Sequence, residues 1–162
     1  MAKNLGEKIG QNNWQVVYGG GKWGLMGETA KAALKCGSEV TGVITRDLLE
    51  VESSLEGLCE LFVVDSMIER KIKMIKISDI FLVLPGGLGT LDELFEVWTT
   101  KQLNQHNKSI ILLNYENYFD DLIVFLRKTV SEGFLAEKNN NQLKICNTID
   151  EAIMEISIQM HN

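Results

Sequence analysis

Proline, cysteine and long apolar runs are scarce in this chain of 162 residues, in which Pro85 is the only proline. The three cysteines, Cys36, Cys59 and Cys146, are odd in number, far apart and without metal-ligand spacing, so we expect reduced thiols without a catalytic role. No apolar run approaches the roughly 18 residues that a membrane span requires. Residues 1–10 lack the apolar segment of an export signal. We therefore expect a soluble, cytoplasmic protein that binds no membrane.

An excess of positive charge is also missing, since the formal net charge is −6. Proteins that bind nucleic acid generally need clustered Lys and Arg to hold phosphate backbones, so we expect no nucleic-acid partner. Any recognition of an anion must then be local. The length and the 45% of hydrophobic residues fit one globular domain with a single core.

Apolar runs rich in β-branched residues alternate with helical patterns along the chain. Predicted strands cover residues 14–18, 39–44, 58–64, 80–84, 109–113 and 143–146. Predicted helices cover residues 2–10, 28–36, 66–78, 91–104, 118–132 and 149–160, while residues 45–57 form a loop or a short helix and residues 138–141 a polar turn. Repeated βα units predict an α/β fold, a Rossmann-like doubly wound parallel sheet in a single domain over residues 1–162. Such sheets bind ligands at the carboxyl ends of their strands.

The first glycine cluster follows the first predicted strand and opens a helix. Gly19, Gly21 and Gly24 fit G-x-G-x-x-G, the dinucleotide-binding fingerprint. A nicotinamide site also needs an acidic residue at the end of the next strand, whereas Glu39 lies at the beginning of that strand. Nicotinamide binding is therefore disfavoured. Two interpretations stay open for these glycines, contact with a ligand or tight packing of strand against helix.

The second glycine cluster, residues 85–90, lies between a predicted strand and a predicted helix. Glycines let a ligand approach the backbone, and the first turn of a helix offers unpaired N–H groups to an anion. This pattern predicts a phosphate-binding loop. Thr90 and Glu93 also fit a capping box, in which their side chains would only stabilise the helix start. Because capping alone does not require Gly86, Gly87 and Gly89, we favour the functional interpretation.

Arg70 and Lys71 are unusual in the helix predicted over residues 66–78. On a helical projection both fall in the apolar arc, away from the solvated face. Charged side chains are rarely buried without a partner, so these two either extend to solvent at an edge or meet an anion in a cleft. The planar guanidinium of Arg70 suits phosphate or carboxylate, and two adjacent charges favour the second interpretation.

Three motifs therefore follow one another along the chain: Tyr18-Gly19-Gly20-Gly21-x-x-Gly24-Leu25-Met26-Gly27, Met67-x-Glu69-Arg70-Lys71 and Pro85-Gly86-Gly87-x-Gly89-Thr90-x-x-Glu93. Together they resemble the Lonely Guy (LOG) family of cytokinin riboside 5′-monophosphate phosphoribohydrolases, which is also labelled lysine decarboxylase-like. The resemblance implies hydrolysis of the N-glycosidic bond of an adenosine-type 5′-monophosphate, with or without an N6 substituent, to free base and ribose 5-phosphate. It implies a homodimer with active sites near the interface and a reaction without metal or cofactor.

The same resemblance implies roles for individual residues, with Arg70 and Glu93 as the catalytic pair. The implied substrate contacts, with the glycine loops included, are Gly20, Gly21, Glu52, Arg70, Lys71, Gly86, Gly87, Leu88, Gly89, Thr90 and Thr99. In the expected mechanism, backbone amides of the second loop hold the 5′-phosphate and Arg70 neutralises charge beside it. Glu93 faces the sugar, where a carboxylate stabilises positive charge or activates water.

The chain departs from the family pattern at three places. Ile68 stands where the family has His, and Trp98-Thr99-Thr100 replaces Ile-Thr-Trp, so the base pocket is expected to differ. The first strand of the family and its Cys-Gly-Ser-Ser-type loop have no counterpart in residues 1–162.

Four other function classes are alternatives to the hydrolase. A carrier of nucleotide or cofactor, such as the molybdenum-cofactor carriers, is the main alternative. A NAD-dependent oxidoreductase and a pyridoxal-phosphate decarboxylase are disfavoured. A structural dimerisation role would use the broad apolar surface of one predicted helix, formed by Leu91, Leu94, Phe95, Val97 and Trp98.

Overall fold

The computed structural model describes residues 1–161, which divide into two compact units, Met1–Ser78 and the chain from Asp79 onward. Each unit alternates helices with parallel strands, so the predicted Rossmann-like α/β class is confirmed. That residues 1–162 form a single domain stays a prediction.

The first unit contains a three-stranded parallel sheet in the order β1-β2-β3. Its elements are α1 (Ala2–Gln11), β1 (Val16–Tyr18), α2 (Gly24–Lys35), β2 (Val40–Thr45), α3 (Arg46–Glu52), β3 (Glu60–Val64) and α4 (Met67–Ile77). The central strand β2 is buried except at Thr41, because it pairs on both sides. Val16 of β1 is level with Val40 of β2, and this register brings the ends of both strands to one edge.

The second unit contains another three-stranded parallel sheet, in the order β4-β5-β6. Its elements are β4 (Ile80–Val83), α5 (Leu88–Gln102), β5 (Ser109–Leu113), a 3₁₀ turn (Tyr115–Asn117), α6 (Asp120–Ser131), α7 (Glu137–Asn140), β6 (Leu143–Cys146) and α8 (Ile149–Met160). Ile110, Ile111, Leu112 and Leu113 of the central strand are fully buried and form the middle of the core. Helix α5 buries Leu94, Val97 and Trp98.

The start of α5 corrects one prediction from the sequence. The helix begins at Leu88, three residues earlier than predicted, because the carbonyl of Gly87 already accepts a hydrogen bond from the Leu91 N–H at 3.1 Å. Gly87 is the N-cap residue, and no side chain caps the helix. Thr90 thus lies inside the first turn, and the capping box of Thr90 with Glu93 is wrong.

Smaller differences from the predicted elements have local causes. Residues 46–52 of the ambiguous segment form the short helix α3, which begins where the Thr45 hydroxyl accepts the Leu48 N–H. The predicted polar turn at 138–141 is the one-turn helix α7. The helix predicted from residue 118 starts at Asp120, because a 3₁₀ turn precedes it.

Of the helices in residues 1–161, none has the length and apolar character needed to cross a bilayer.

Candidate functional site

Arg70 lies inside the first unit, on α4, and only 7% of its surface is exposed. Its Nε donates a hydrogen bond to the Val43 carbonyl at 3.0 Å, and Nη2 donates to the Gly19 carbonyl at 3.4 Å. Gly19 follows β1 and Val43 belongs to β2, so the guanidinium binds the backbone near the carboxyl ends of two neighbouring strands. The interpretation in which Arg70 extends to solvent is therefore wrong.

Gly19 is a glycine because Arg70 occupies the space beside it. A Cβ at Gly19 would collide with the Nη2 atom of Arg70 and would lie 3.3 Å from the sulfur of Met26. The sequence left open whether this glycine contacts a ligand or packs strand against helix. The structure shows that it makes room for a buried guanidinium.

Glu52 also lies against the first glycine loop. A Cβ at Gly21 would collide with Oε2 of Glu52, and Gly21 forms an antiparallel bridge with Ser54 just beyond α3. The first unit thus brings Gly19, Gly21, Glu52 and Arg70 together at one loop. That Glu52 and these glycines contact a substrate stays a prediction.

Tyr18, the last residue of β1, fixes the same loop. Its hydroxyl donates a hydrogen bond to the Gly20 carbonyl at 3.0 Å. Burial raises the pKa of Tyr18 from 10.0 to about 12, so the phenol keeps its proton at neutral pH. The pKa of Tyr18 is higher in the folded protein than in the unfolded chain. The stability that comes from burying the neutral phenol is therefore complete below pH 10 and is lost as the pH rises towards 12.

The second unit presents the start of α5 with its backbone exposed. Gly87, Leu88 and Gly89 are all exposed, and apart from the adjoining backbone no atom lies within 4 Å of the Cβ positions at the two glycines. Without a side-chain cap, the N–H groups of the first turn point away from the helix, where the positive end of its dipole attracts anions. This geometry suits a phosphate group.

Thr90 packs back onto the loop. A Cβ at Gly86 would collide with Oγ1 of Thr90, so only glycine leaves room for this side chain. Glu93 is half-buried on the next turn of α5. The second unit therefore brings the glycine loop, Thr90 and Glu93 together at the helix start.

Two predicted contact residues lie farther from these groups. Thr99 is exposed on α5, and six residues of helix place it about 9 Å along the axis and about 120° around it from Glu93. Lys71 is half-buried on α4, about 100° around the helix from Arg70. Their substrate contacts stay predictions.

Sequence reasoning missed Tyr118, whose hydroxyl donates a hydrogen bond to the Gly86 carbonyl at 3.0 Å. It also missed the buried Asn114, which shapes the turn that carries Tyr118. The one available signal was their position after β5, at the strand end where such folds bind ligands.

In residues 1–161 we find no group of three His, Cys, Asp or Glu side chains that could hold a metal ion.

A family model described as possible lysine decarboxylase matches residues 26–156. The cytokinin riboside 5′-monophosphate phosphoribohydrolase of Rhodococcoides fascians is 39% identical over 157 residues, which cover 96% of this chain and 79% of that protein. The protein of the same name from Mycobacterium tuberculosis is 37% identical over 153 residues, which cover 94% of this chain and 82% of that protein.

The chain belongs to the LOG family. A plant member, LOG1 of Arabidopsis thaliana, is 44% identical over 135 residues, which cover 83% of this chain but 63% of that protein. The chain thus spans less than two thirds of the plant member.

Solved structures place the LOG-family chain in a wider fold group. The structure of the molybdenum cofactor carrier protein of Chlamydomonas reinhardtii superposes with a TM-score of 0.76 at 18% sequence identity. The match covers 100% of this chain and 87% of the carrier chain. The molybdenum cofactor binding protein of Rippkaea orientalis superposes with a TM-score of 0.74 at 22% sequence identity, and the match covers 98% of this chain and 85% of that protein's chain. At these identities the likeness shows the fold alone.

The contact of Gly19 with Arg70 leads to a stability prediction. Gly19→Ala should lower the free energy of unfolding by about 1–3 kcal/mol, because the added methyl group displaces the guanidinium from its two carbonyl acceptors. Urea denaturation measures this change. Gly89→Ala is the matched control, since its Cβ meets open space in a helix, and should leave stability unchanged or raise it by up to about 1 kcal/mol. Equal stability of Gly19→Ala and the unsubstituted chain would contradict the geometry.

Proposed function

We propose that this chain hydrolyses the N-glycosidic bond of a cytokinin riboside 5′-monophosphate, releasing the free base and ribose 5-phosphate. The observation that carries the proposal is the relationship to proteins named for this activity, at 37% and 39% identity over more than nine tenths of the chain. The uncapped start of α5 supports it, since it suits a 5′-phosphate.

In the proposed reaction, the bond between C1′ of the ribose and the ring nitrogen of the base breaks, and water adds its oxygen to C1′. The electron pair of the broken bond leaves with the base, which gains a proton, and the second hydrogen of water stays as the new hydroxyl. Positive charge develops on the ribose ring as the base departs. A carboxylate close to the ring stabilises that charge or takes a proton from the attacking water.

We assign the carboxylate role to Glu93 and the recognition of the 5′-phosphate to the amides of Gly87, Gly89 and Thr90. Glu93 lies on the second turn of the same helix, so both groups belong to one rigid element. Arg70 is assigned a catalytic role beside the charged substrate, with its orientation fixed by two backbone carbonyls.

The remaining proposed substrate contacts fall into two sets. The set in the first unit is Gly20, Gly21, Glu52 and Lys71, and the set in the second unit is Gly86, Leu88 and Thr99. The carrier alternative has weaker support, because the carriers of known structure share 18–22% identity and indicate only a common fold.

The activity is tested by incubating the purified chain with AMP and with N6-isopentenyl-AMP and measuring released base by chromatography. We expect release from the N6-isopentenyl nucleotide. Glu93→Gln should lower kcat by about 10²–10⁴-fold, because an amide cannot accept a proton or balance positive charge. Binding without release from either nucleotide would favour the carrier.

Glu96→Gln is the matched control for this experiment, since Glu96 is exposed on the same helix and has no assigned role. It should keep the kcat of the unsubstituted chain. If Glu93→Gln also keeps full kcat, Glu93 is not the catalytic carboxylate.

We also propose that the chain forms a homodimer. Ile68 and Ile72 lie one turn apart on α4 and are 67% and 60% exposed, and Met67 beside them is 41% exposed. Adjacent exposed apolar side chains are typical of an interaction surface. The apolar residues of α5 support a dimer less than expected, because Leu94, Val97 and Trp98 are buried within the chain.

Light scattering tests the dimer, whose mass should be twice the 18.2 kDa of one chain. Ile72→Glu should shift the mass towards a monomer, since it places a charge in the proposed interface. Met154→Glu is the control, because it adds a charge at another exposed apolar position, on α8. A monomeric mass for the unsubstituted chain would exclude the dimer.

A further inference from the structure

We propose that Tyr118 is a positioning residue, whose hydroxyl holds the Gly86–Gly87 peptide so that the Gly87 N–H faces the 5′-phosphate. The inference rests on the proposed function, since it deepens the role of the same loop. Tyr118 lies on the turn between β5 and α6, and no motif in the sequence marks it.

The hydrogen bond at the peptide is the first observation. The Tyr118 hydroxyl donates to the Gly86 carbonyl oxygen at 3.0 Å. This peptide is trans, so its carbonyl and the N–H of Gly87 point in opposite directions. Fixing the carbonyl towards Tyr118 therefore fixes the Gly87 N–H towards the other side.

The peptide needs such a restraint because it lies between two glycines. Glycine adopts backbone angles that other residues avoid, so a peptide flanked by glycines can rotate with little steric cost. On one side Thr90 packs against Gly86, but apart from the adjoining residues no atom lies within 4 Å of the Cβ position at Gly87. The Tyr118 hydroxyl supplies a restraint on the carbonyl and leaves the exposed Gly87 uncovered.

The turn that presents Tyr118 is held by a buried side chain. Asn114 is 3% exposed, its Oδ1 accepts a hydrogen bond from the Phe119 N–H at 2.7 Å, and its Nδ2 donates to Asp120 at 2.8 Å. Its own N–H donates to the Cys146 carbonyl at 2.7 Å, which ties the turn to β6. These three hydrogen bonds hold both ends of the turn.

Two residues inside the turn have positive φ angles. Glu116 and Asn117 are adjacent and have φ angles of 53° and 62°, in the left-handed region that residues with a Cβ seldom adopt. Asn adopts this region more readily than most residues, so the unfavourable angle is that of Glu116, and the Asn114 hydrogen bonds hold the turn on both sides of it. The ring of Tyr118 then packs edge-on against the buried Phe119, with ring centroids 4.9 Å apart. This contact orients the ring of Tyr118, which is 56% exposed, with its hydroxyl at Gly86.

Tyr118→Phe tests the proposal, because it removes the hydroxyl and keeps the ring on Phe119. We expect KM for N6-isopentenyl-AMP to rise about 2- to 10-fold, the effect of losing one neutral hydrogen bond. We expect kcat to change less than twofold, because the phosphate is held equally before and during the reaction. Calorimetry should show the same loss of affinity for ribose 5-phosphate, and thermal unfolding should be unchanged.

Tyr115→Phe is the matched control, since it removes a hydroxyl from the same turn, and it should change neither KM nor the affinity for ribose 5-phosphate. If Tyr118→Phe binds ribose 5-phosphate as tightly as the unsubstituted chain, or if that chain binds ribose as tightly as ribose 5-phosphate, the inference is overturned. If nucleotides are not hydrolysed but Tyr118→Phe still weakens ribose 5-phosphate binding, the proposed function fails and the role of Tyr118 stands.

Discussion

An α-helix that begins on glycine, without a side-chain cap, has first-turn N–H groups that its own side chains do not satisfy. Helix α5 begins in this way at Leu88, with Gly87 as its N-cap. Two neighbouring side chains hold the loop before the helix and leave its first turn exposed. Thr90 fills the space beside Gly86, and the hydroxyl of Tyr118 donates a hydrogen bond to the Gly86 carbonyl. The proposed chemistry depends on this arrangement, since the 5′-phosphate must be held before Glu93 can act on the sugar.

In the first unit, the corresponding constraint is a buried guanidinium. Arg70 requires acceptors because it is removed from water, and the backbone carbonyls of Gly19 and Val43 provide them. Gly19 must then lack a side chain, which explains this glycine of the first loop without invoking a dinucleotide. In both units, glycines make room for a specific side chain, Arg70 in one case and Thr90 in the other.

The sequence was informative where a pattern along one element has a direct physical meaning. Alternating apolar runs predicted the α/β class, and the position of Arg70 in an apolar arc favoured a cleft over extension to solvent. The sequence was uninformative where the partner is backbone or is distant along the chain. Nothing marks the carbonyls that bind Arg70, and the contact of Tyr118 with Gly86 joins residues 32 positions apart. The start of α5 was misplaced because the Thr90–Glu93 pattern suggested a cap three residues too late.

The proposed function requires that the amides at the start of α5 bind the 5′-phosphate. Titration of ¹⁵N-labelled protein with ribose 5-phosphate, followed through the backbone amide resonances, measures this binding. We expect the Gly87, Gly89 and Thr90 resonances to shift in a saturable manner, and ribose without phosphate to leave them in place. Unchanged resonances at these three residues, with shifts elsewhere in the chain, would contradict the proposed function.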